Sequence, residues 1–402
     1  MASNPSWNAD IGFSERLGLV STILAAYQRA VPSADFSEAH AKAKKLENEA
    51  FTSASNKEEY QAQCQKSIDE LDSREQPAPA SNASDAIEYA EPESDSESTQ
   101  AGKTIGAYTT AIYHQEGIFS TIYKAKSESG TIVALKLTTP HLMSPPHDSK
   151  REARILKSLS HSNIIPLLDT FSQPGGHFVL VFPFIPLHFD DLMHQNVLTP
   201  QQTRSHLRDL FSALAFTHAQ GIIHRDIKPS NILLRSAAGP AYLADFGIAW
   251  SPTDEASEEA NKKITDVGTT CYRPPEILFG DKAYGTSLDL WAAGCVVAEA
   301  VDVHHKQLFD AGPLGSELAL VHSMFVTLGT PNSDSWPSTK NLPDWGKIQF
   351  KEYPTKPWTE ILNGASSNGR DLVSQLVRYE GSQRLSAALV GLQSKIQRYR
   401  GE

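Results

Sequence analysis

The sequence predicts an α+β protein built as two lobes, a small β-rich lobe and a larger α-rich one, preceded by a small three-helix bundle. Three observations carry this expectation. Apolar residues between 13 and 72 recur at spacings of three and four. Between 108 and 182 they alternate. After Leu187 the chain becomes mostly helical to its end. A chain of 402 residues has room for two or three domains, and 40% apolar content is enough for a real core.

The first helix follows from Leu17, Leu19, Val20, Ile23, Leu24 and Tyr27, which form one stripe. Ser37 is a candidate N-cap for a second helix running to about Phe51. Ser53-Ala54-Ser55-Asn56 reads as a break, and residues 57–71 as a third helix. Periodicity alone favours the plainer reading, an isolated helical appendage. Residues 73–103 carry Pro77, Pro79 and Pro92 among repeated Ser, Glu and Asp. Such a stretch buries too little surface to offset chain ordering, so a disordered acidic linker is expected. Ser94, Ser96 and Ser98 within it serve equally as phosphosites or as solvated spacer.

Strands are expected at 109–116, 119–126 and 131–138, with turns at Glu116-Gly117 and Glu128-Ser129-Gly130. A short helix is expected at 151–159, then strands at 164–169 and 177–182. The expected organisation is a helical bundle at 7–72, the linker at 73–103, and a two-lobed domain at 104–400 that divides at 185/186. No internal repeat is visible.

Composition narrows the class. The chain holds 47 acidic and 36 basic residues, and the imbalance is local: residues 1–103 carry 18 and 9 of them. That argues against a broad nucleic-acid footprint there. Three cysteines without a CxxC pair point to a reducing compartment and no disulfide framework. No apolar run of about 18 residues and no secretory leader are visible. The expectation is a soluble intracellular protein of nucleus or cytoplasm, binding neither membrane nor nucleic acid directly.

Phosphoryl transfer needs cations on the phosphates, a metal scaffold, and a carboxylate to orient the attacking hydroxyl. The sequence offers these in one order. Val133-Ala134-Leu135-Lys136 ends a strand on a lysine, and Glu152 on the next helix can pair with it. His224-Arg225-Asp226-Ile227-Lys228-Pro229-Ser230-Asn231 places Asp226 and Asn231 five apart on one loop. Asp245-Phe246-Gly247 follows a strand at 241–244. Each is part of the protein-kinase signature. Val-Ala-Leu-Lys alone is weak, since buried strands often end in lysine, and Glu152 alone would be an ordinary surface acid. The octet followed by 245–247 is highly specific.

Residues 108–398 resemble the cyclin-dependent kinase branch of the serine/threonine kinases. Further motifs carry this: Tyr272-Arg273-Pro274-Pro275-Glu276, Asp289-Leu290-Trp291-Ala292-Ala293-Gly294-Cys295, Leu328-Gly329-Thr330-Pro331, Trp336-Pro337 and Leu342-Pro343-Asp344-Trp345. Arg384-Leu385-Ser386-Ala387 resembles a late helix whose arginine pairs with Glu276.

The resemblance implies a protein kinase fold, with ATP and Mg²⁺ as cofactors and a protein serine or threonine hydroxyl as acceptor. It implies Asp226 as catalytic base, Lys228 steadying the γ-phosphate, and Asn231 and Asp245 holding Mg²⁺. Lys136, aligned by Glu152, would meet the α- and β-phosphates. Ile122, Ala134, Leu233 and Phe182 would sandwich adenine, with the hinge at Pro183-Phe184-Ile185 bonding the base near Ile185. Thr269 would bond near Asp226 and Lys228.

Three departures stand out. Of three loop glycines expected at 115, 117 and 120, only Gly117 remains. Its neighbours lack the close approach to phosphate that glycine allows. The activation-segment position usually phosphorylated is Ile264, with Thr265 one place along. The acids Asp254, Glu255, Glu258 and Glu259 precede it, and one of them could stand in for phosphate near Arg225. The alternative is that Thr265 or another threonine serves. The residues before Glu152, Pro145-Pro146-His147-Asp148-Ser149-Lys150, are unlike the cyclin-binding sequence, which leaves cyclin dependence open. Together these resemble the fungal monomeric kinases that activate other cyclin-dependent kinases. Those kinases or the RNA polymerase II machinery are the candidate substrates.

Trp7, Glu15-Arg16, Leu19-Val20, Lys45-Leu46-Glu47, Glu49-Ala50-Phe51, Ala54 and Lys57-Glu58-Glu59-Tyr60 resemble the KIX-type domain of the Mediator tail subunit. That resemblance implies a groove for an amphipathic transcription-factor peptide. A second reading of the whole chain is a weakly active or inactive kinase-fold scaffold recruited through this bundle. The glycine-poor loop alone favours it.

Overall fold

The computed structural model describes residues 13–31, 36–73, 102–117, 119–312 and 315–391. They belong to two units, Met1–Ala101 and Gly102–Glu402. Trp7, Ser94, Ser96, Ser98 and nearly all of the expected linker at 73–103 lie outside the described residues, as do 392–400.

The first unit holds helices α1 (Phe13–Ala30), α2 (Phe36–Ser53) and α3 (Lys57–Asp72). Val20, Ile23 and Ala26 of α1 meet Ala43 and Ala50 of α2 and Tyr60, Cys64, Ile68 and Leu71 of α3. Within this core Glu47 is buried and fully served. Arg16 donates to both its oxygens at 2.6 and 2.8 Å, and Tyr60 adds its hydroxyl at 2.7 Å. Arg16 also lies 3.6 Å over the Phe51 ring. Helix α2 already includes Phe36, so Ser37 sits inside its first turn rather than capping it. Asn56 caps α3 by accepting the Glu59 N–H.

The second unit opens with an antiparallel sheet of β1 (Lys103–Ile105), β2 (Tyr108–Glu116), β3 (Ser120–Lys126) and β4 (Ile132–Thr138). Helix α4 (Ser149–Ser158) follows, then β5 (Asp169–Gln173) and β6 (His177–Pro183). The strand order is β1-β2-β3-β4-β6-β5. The strand expected at 164–169 is not formed. Pro166 has no N–H to give a ladder, and Ile164 makes only an isolated bridge to Leu243. The ladder begins instead at Asp169. The three-residue β1 was too short to be legible in the sequence.

Next come β7 (Leu187–His188), α5 (Phe189–His194) and α6 (Pro200–Ala219), then β8 (Ile232–Leu234) and β9 (Ala241–Leu243). The short strands form a sheet of order β7-β8-β9. The chain ends in α7 (Pro275–Leu278), α8 (Ser287–Val301), α9 (Glu317–Leu328), α10 (Trp358–Ile361) and α11 (Ser367–Leu376). Helix α8 is buried on every side from Leu288 to Ala300, which marks it as the core helix. Arg384 follows a 3-10 turn (Gly381–Gln383) rather than lying in a helix. It nonetheless meets Glu276 through two bonds, 2.6 and 2.7 Å. Cys64, Cys271 and Cys295 are all unpaired. Among the described residues no helix is long and apolar enough to cross a membrane.

Candidate active site

Strand register brings the N-lobe residues to one face. Successive strand residues alternate sides, so Ala134 and Lys136 share a face of β4. Ile122 pairs with Lys136, and Phe182 with Ala134, which puts both on that face. Phe182 and the buried Ile185 belong to the main hydrophobic cluster, and Ala134 and Leu233 pack against its edge while staying partly exposed. Of the four residues expected around adenine, Ile122, Ala134 and Phe182 thus share one face of the sheet, and Ala134, Phe182 and Leu233 meet in one hydrophobic cluster with Ile185.

On that same face Lys136 donates to both oxygens of Glu152 at 2.8 Å and to Asp245 Oδ1 at 2.8 Å. Burial pulls the Lys136 ammonium down, but Asp245 and Glu152 outweigh it and raise it above its ordinary value. Burial likewise opposes the Asp245 charge. Lys136 and Lys228 overcome that and hold the carboxyl well below the usual carboxylate range. Glu152 lies buried on α4, whose first turn Asp148 caps by accepting the Lys150 and Arg151 N–H groups.

The loop carrying Asp226 is held from beneath. Buried Asp289 of α8 accepts the N–H groups of His224 and Arg225, each at 2.9 Å, and His218 at 2.9 Å. Asp226 Oδ1 accepts the Thr269 N–H at 3.0 Å and its hydroxyl at 2.8 Å. Its Oδ2 faces Lys228 Nζ at 2.9 Å and Asn231 Nδ2 at 3.0 Å. Lys228 also donates to Thr269 Oγ1 at 2.9 Å. Burial alone would raise the Asp226 carboxyl, but Lys228 and Thr269 outweigh it and hold it below its ordinary value. An ionised, fully bonded carboxylate is suited to orienting a hydroxyl more than to early proton abstraction. Gly268 makes the turn possible: its φ is +77°, and a Cβ there would collide with the Arg225 carbonyl oxygen.

Gly117 closes the β2–β3 hairpin by donating its N–H to the Ser120 carbonyl at 2.6 Å. The Phe119 ring lies 4.7 Å from His147, which sits just before α4.

The activation segment is tied down by its own acids. Arg225 donates to both oxygens of Glu258 at 3.0 and 3.1 Å. Arg151 reaches the same carboxylate at 4.0 Å and the Ala256 carbonyl at 3.3 Å. Burial opposes the Glu258 charge, and Arg225 overcomes it, so the carboxyl lies below its ordinary value. Asp254 takes a forked bond from Arg154 of α4 at 2.6 and 3.0 Å. The Asp148 N–H donates to the Gly247 carbonyl at 3.1 Å. Helix α4 is thus bound to the activation segment at three points.

Sequence reasoning assigned no role to Asp289, Arg151, Arg154 or His147. Asp289 could have been found, since it opens the Asp-Leu-Trp motif. The arginines gave no signal beyond helix position, because their partners lie about a hundred residues away.

The donor set fits a nucleotide with a hard divalent cation. Asn231 commits its Nδ2 to the Asp226 carbonyl and carboxylate, leaving its Oδ1 as a ligand. The Asp245 side chain is 48% exposed and supplies a second hard oxygen. A Cβ on Gly247 would come within 3.2 Å of Asp245 Oδ1 and 3.5 Å of Lys136 Nζ, so glycine keeps this cradle open.

The family model of the protein kinase domain matches residues 115–394, and that of the KIX domain matches residues 4–82. The chain is 37% identical over 297 residues to the serine/threonine-protein kinase csk1 of Schizosaccharomyces pombe, covering 72% of this chain and 95% of that one. It is 35% identical over 281 residues to cyclin-dependent kinase 20 of Rattus norvegicus, covering 68% and 78%. Among solved structures it is similar to a chain of the yeast RNA Pol II CTD kinase CTDK-1 complex, with TM-score 0.61, 25% identity and coverage of 75% and 94%. It is also similar to a chain of the Chaetomium thermophilum CAK complex bound to ATP-γ-S, with TM-score 0.59, 28% identity and coverage of 69% and 86%.

Proposed function

Because the chain belongs to the protein kinase family, as a serine/threonine kinase of the cyclin-dependent kinase branch that uses ATP and a divalent metal, we propose that it works as a monomer with Mg²⁺, phosphorylating other cyclin-dependent kinases or the RNA polymerase II machinery. The observation that carries this proposal is the pairing of Lys136 with Glu152 while Glu258 fills Arg225. A cyclin and an activation-loop phosphate are the usual external supports for such an arrangement; here α4 and the segment 254–258 support each other. The likeness to chains from a CTD kinase and from a CAK complex supports the substrate class.

ATP supplies the phosphoryl group, and Mg²⁺ screens its charge. Lys136 would hold the α- and β-phosphates, kept in line by Glu152. Asn231 and Asp245 would hold the cation. Asp226 would orient the substrate hydroxyl and take its proton as the new oxygen–phosphorus bond forms and the bond to the leaving diphosphate breaks. Lys228 would steady the transferred group while its contact with Thr269 fixes the loop. Ile122, Ala134, Phe182 and Leu233 would exclude water around adenine, with Ile185 offering backbone bonds at the hinge.

The bundle at 7–72 would dock a transcription-factor peptide, with 73–103 as linker and 104–400 as the catalytic domain. That places the enzyme in the nucleus or cytoplasm near transcription. An interaction screen with residues 1–75 in the full chain, intact and deleted, tests recruitment; identical partners for both forms would remove its support. Phosphotransfer by the isolated monomer to unphosphorylated cyclin-dependent kinases and to polymerase-tail peptides tests the catalytic proposal.

A further inference from the structure

Residues 250–263 make an excursion that starts beside the catalytic loop and closes on its own first residue. Trp250 starts it by exchanging both backbone bonds with Ile223, at 2.8 and 2.9 Å, two residues before Arg225. Lys263 ends it and gives its N–H to the Lys282 carbonyl at 3.0 Å. Glu258, which holds Arg225, lies between these ends.

The closure is made by a buried ammonium. Lys263 is 3% exposed, and its Nζ lies 4.6 Å from the centroid of the Trp250 ring and 5.2 Å from that of Tyr284. It donates to the Ala260 carbonyl. The Arg225 guanidinium lies 5.6 Å from the same Tyr284 ring. Trp250 in turn gives its indole N–H to the Glu258 carbonyl at 2.8 Å. Arg225, Glu258, Trp250, Lys263 and Tyr284 thus form a closed circuit of contacts. Tyr284 ties the circuit to the outgoing chain by donating its hydroxyl to the Ile264 carbonyl at 2.6 Å.

An ammonium is a costly group to bury here. Trp250 and Tyr284 belong to an apolar cluster with Ile223, Ile248 and Val267. Burial and the nearby Arg225 outweigh Asp281 and Glu258 and hold the Lys263 ammonium below its ordinary value. An apolar side chain would fill the same space at less cost. What the ammonium adds is direction: two aromatic rings and one carbonyl fix where the segment closes.

We propose that Lys263 is a positioning residue for phosphoryl transfer: its charge, held between Trp250 and Tyr284, clamps the excursion shut and so keeps Glu258 on Arg225, next to Asp226. The inference rests on the phosphate-independent kinase activity proposed above. Lys263 acts through Glu258 and Arg225 on the loop that carries Asp226, so its larger effect falls on kcat rather than on ATP binding.

The test uses the phosphatase-treated full chain, with a peptide picked from a Ser/Thr library as acceptor. It compares wild type with Lys263→Met and Lys263→Arg. Methionine keeps an unbranched chain and loses the charge, whereas arginine keeps a cation that stacks on aromatic faces. Lys263→Met should lose about tenfold in kcat while KM for ATP changes by less than about fivefold. It should melt no lower than wild type, because an apolar side chain replaces a buried charge. Lys263→Arg should recover most of the lost kcat. Trp250→Phe keeps a ring and loses the N–H to Glu258, so it should lower kcat about threefold or more. That variant keeps the test open should Lys263→Met misfold. Wild-type kcat in Lys263→Met or in Trp250→Phe overturns the inference. A loss of kcat that only follows a lower melting temperature makes Lys263 merely structural and overturns it too. So does a Lys263→Arg protein that melts like wild type yet turns over like Lys263→Met. Active wild type with unaffected variants sinks the inference alone. Wild type that transfers no phosphate sinks the kinase proposal with it.

Discussion

Glu258 sets both carboxylate oxygens against the guanidinium of Arg225, at 3.0 and 3.1 Å. Arg225 immediately precedes Asp226 and has a φ of +71°, a region that non-glycine residues rarely occupy. Its backbone is held by Asp289 and its side chain by Glu258. The charge that orders this corner is therefore encoded in the chain rather than added to it.

Glu258→Gln should lower kcat about tenfold or more, since it leaves a buried arginine half paired. Thr265→Ala should change kcat by less than about twofold on the same scale. Phosphatase treatment should leave the wild type active. Steady-state kinetics on the three preparations check this. Activity lost on dephosphorylation and restored by phosphate at Thr265 would put the switch at Thr265 instead.

The fork from Arg154 to Asp254 fastens α4 to the activation segment. Asp254→Asn should speed amide exchange across 149–158 and raise KM for ATP about two- to fivefold, because Glu152 then aligns Lys136 less often. The effect is modest because the Arg154 side chain is 42% exposed. Unchanged exchange in α4 would show that the helix is positioned by its packing alone.

Arg384 and Glu276 form a buried pair, with the arginine side chain fully covered. Arg384→Ala should cost about 3–5 kcal/mol in stability, by stranding a buried carboxylate. Adding Glu276→Gln should recover part of that loss. Denaturant titration of the two variants checks both statements, and a double variant weaker than the single one would refute the second.

His147 should make stability pH-dependent. Burial lowers its ring to about 4, with Lys136 assisting and Asp245 opposing. Above the ordinary value of 6.5 the ring is neutral in both states and its contribution is complete. As pH falls from 6.5 towards about 4, the unfolded chain takes up a proton that the folded chain refuses, so stability drops. Melting temperatures between pH 7.5 and 5 should fall less steeply in His147→Asn than in the wild type. Parallel slopes would mean that the ring titrates normally. Other buried histidines contribute equally to both proteins and cancel.

Local chemistry made much of this legible. The octet around Asp226 and the Asp245-Phe246-Gly247 triplet are contiguous, so their spacing is readable directly. The alternation that predicts β2 to β4 also sets the register joining Ile122, Ala134 and Lys136. Long-range pairing was not legible. Nothing near Glu258 shows that it, rather than Glu255 or Glu259, meets Arg225; that depends on how the segment returns past Trp250, whose indole N–H donates to the Glu258 carbonyl at 2.8 Å. The strand expected at 164–169 failed for a local reason: an apolar run looks like a strand even where Pro166 breaks its ladder.

The central claim is catalysis without a cyclin or an activation-loop phosphate. The direct measurement is phosphate transfer by phosphatase-treated, cyclin-free full-length protein to unphosphorylated cyclin-dependent kinases and polymerase-tail peptides, beside Asp226→Asn. The predicted result is wild-type turnover that falls about 10²–10⁴-fold in the variant. Equal, background-level signal from both would contradict it and leave the kinase fold as a scaffold.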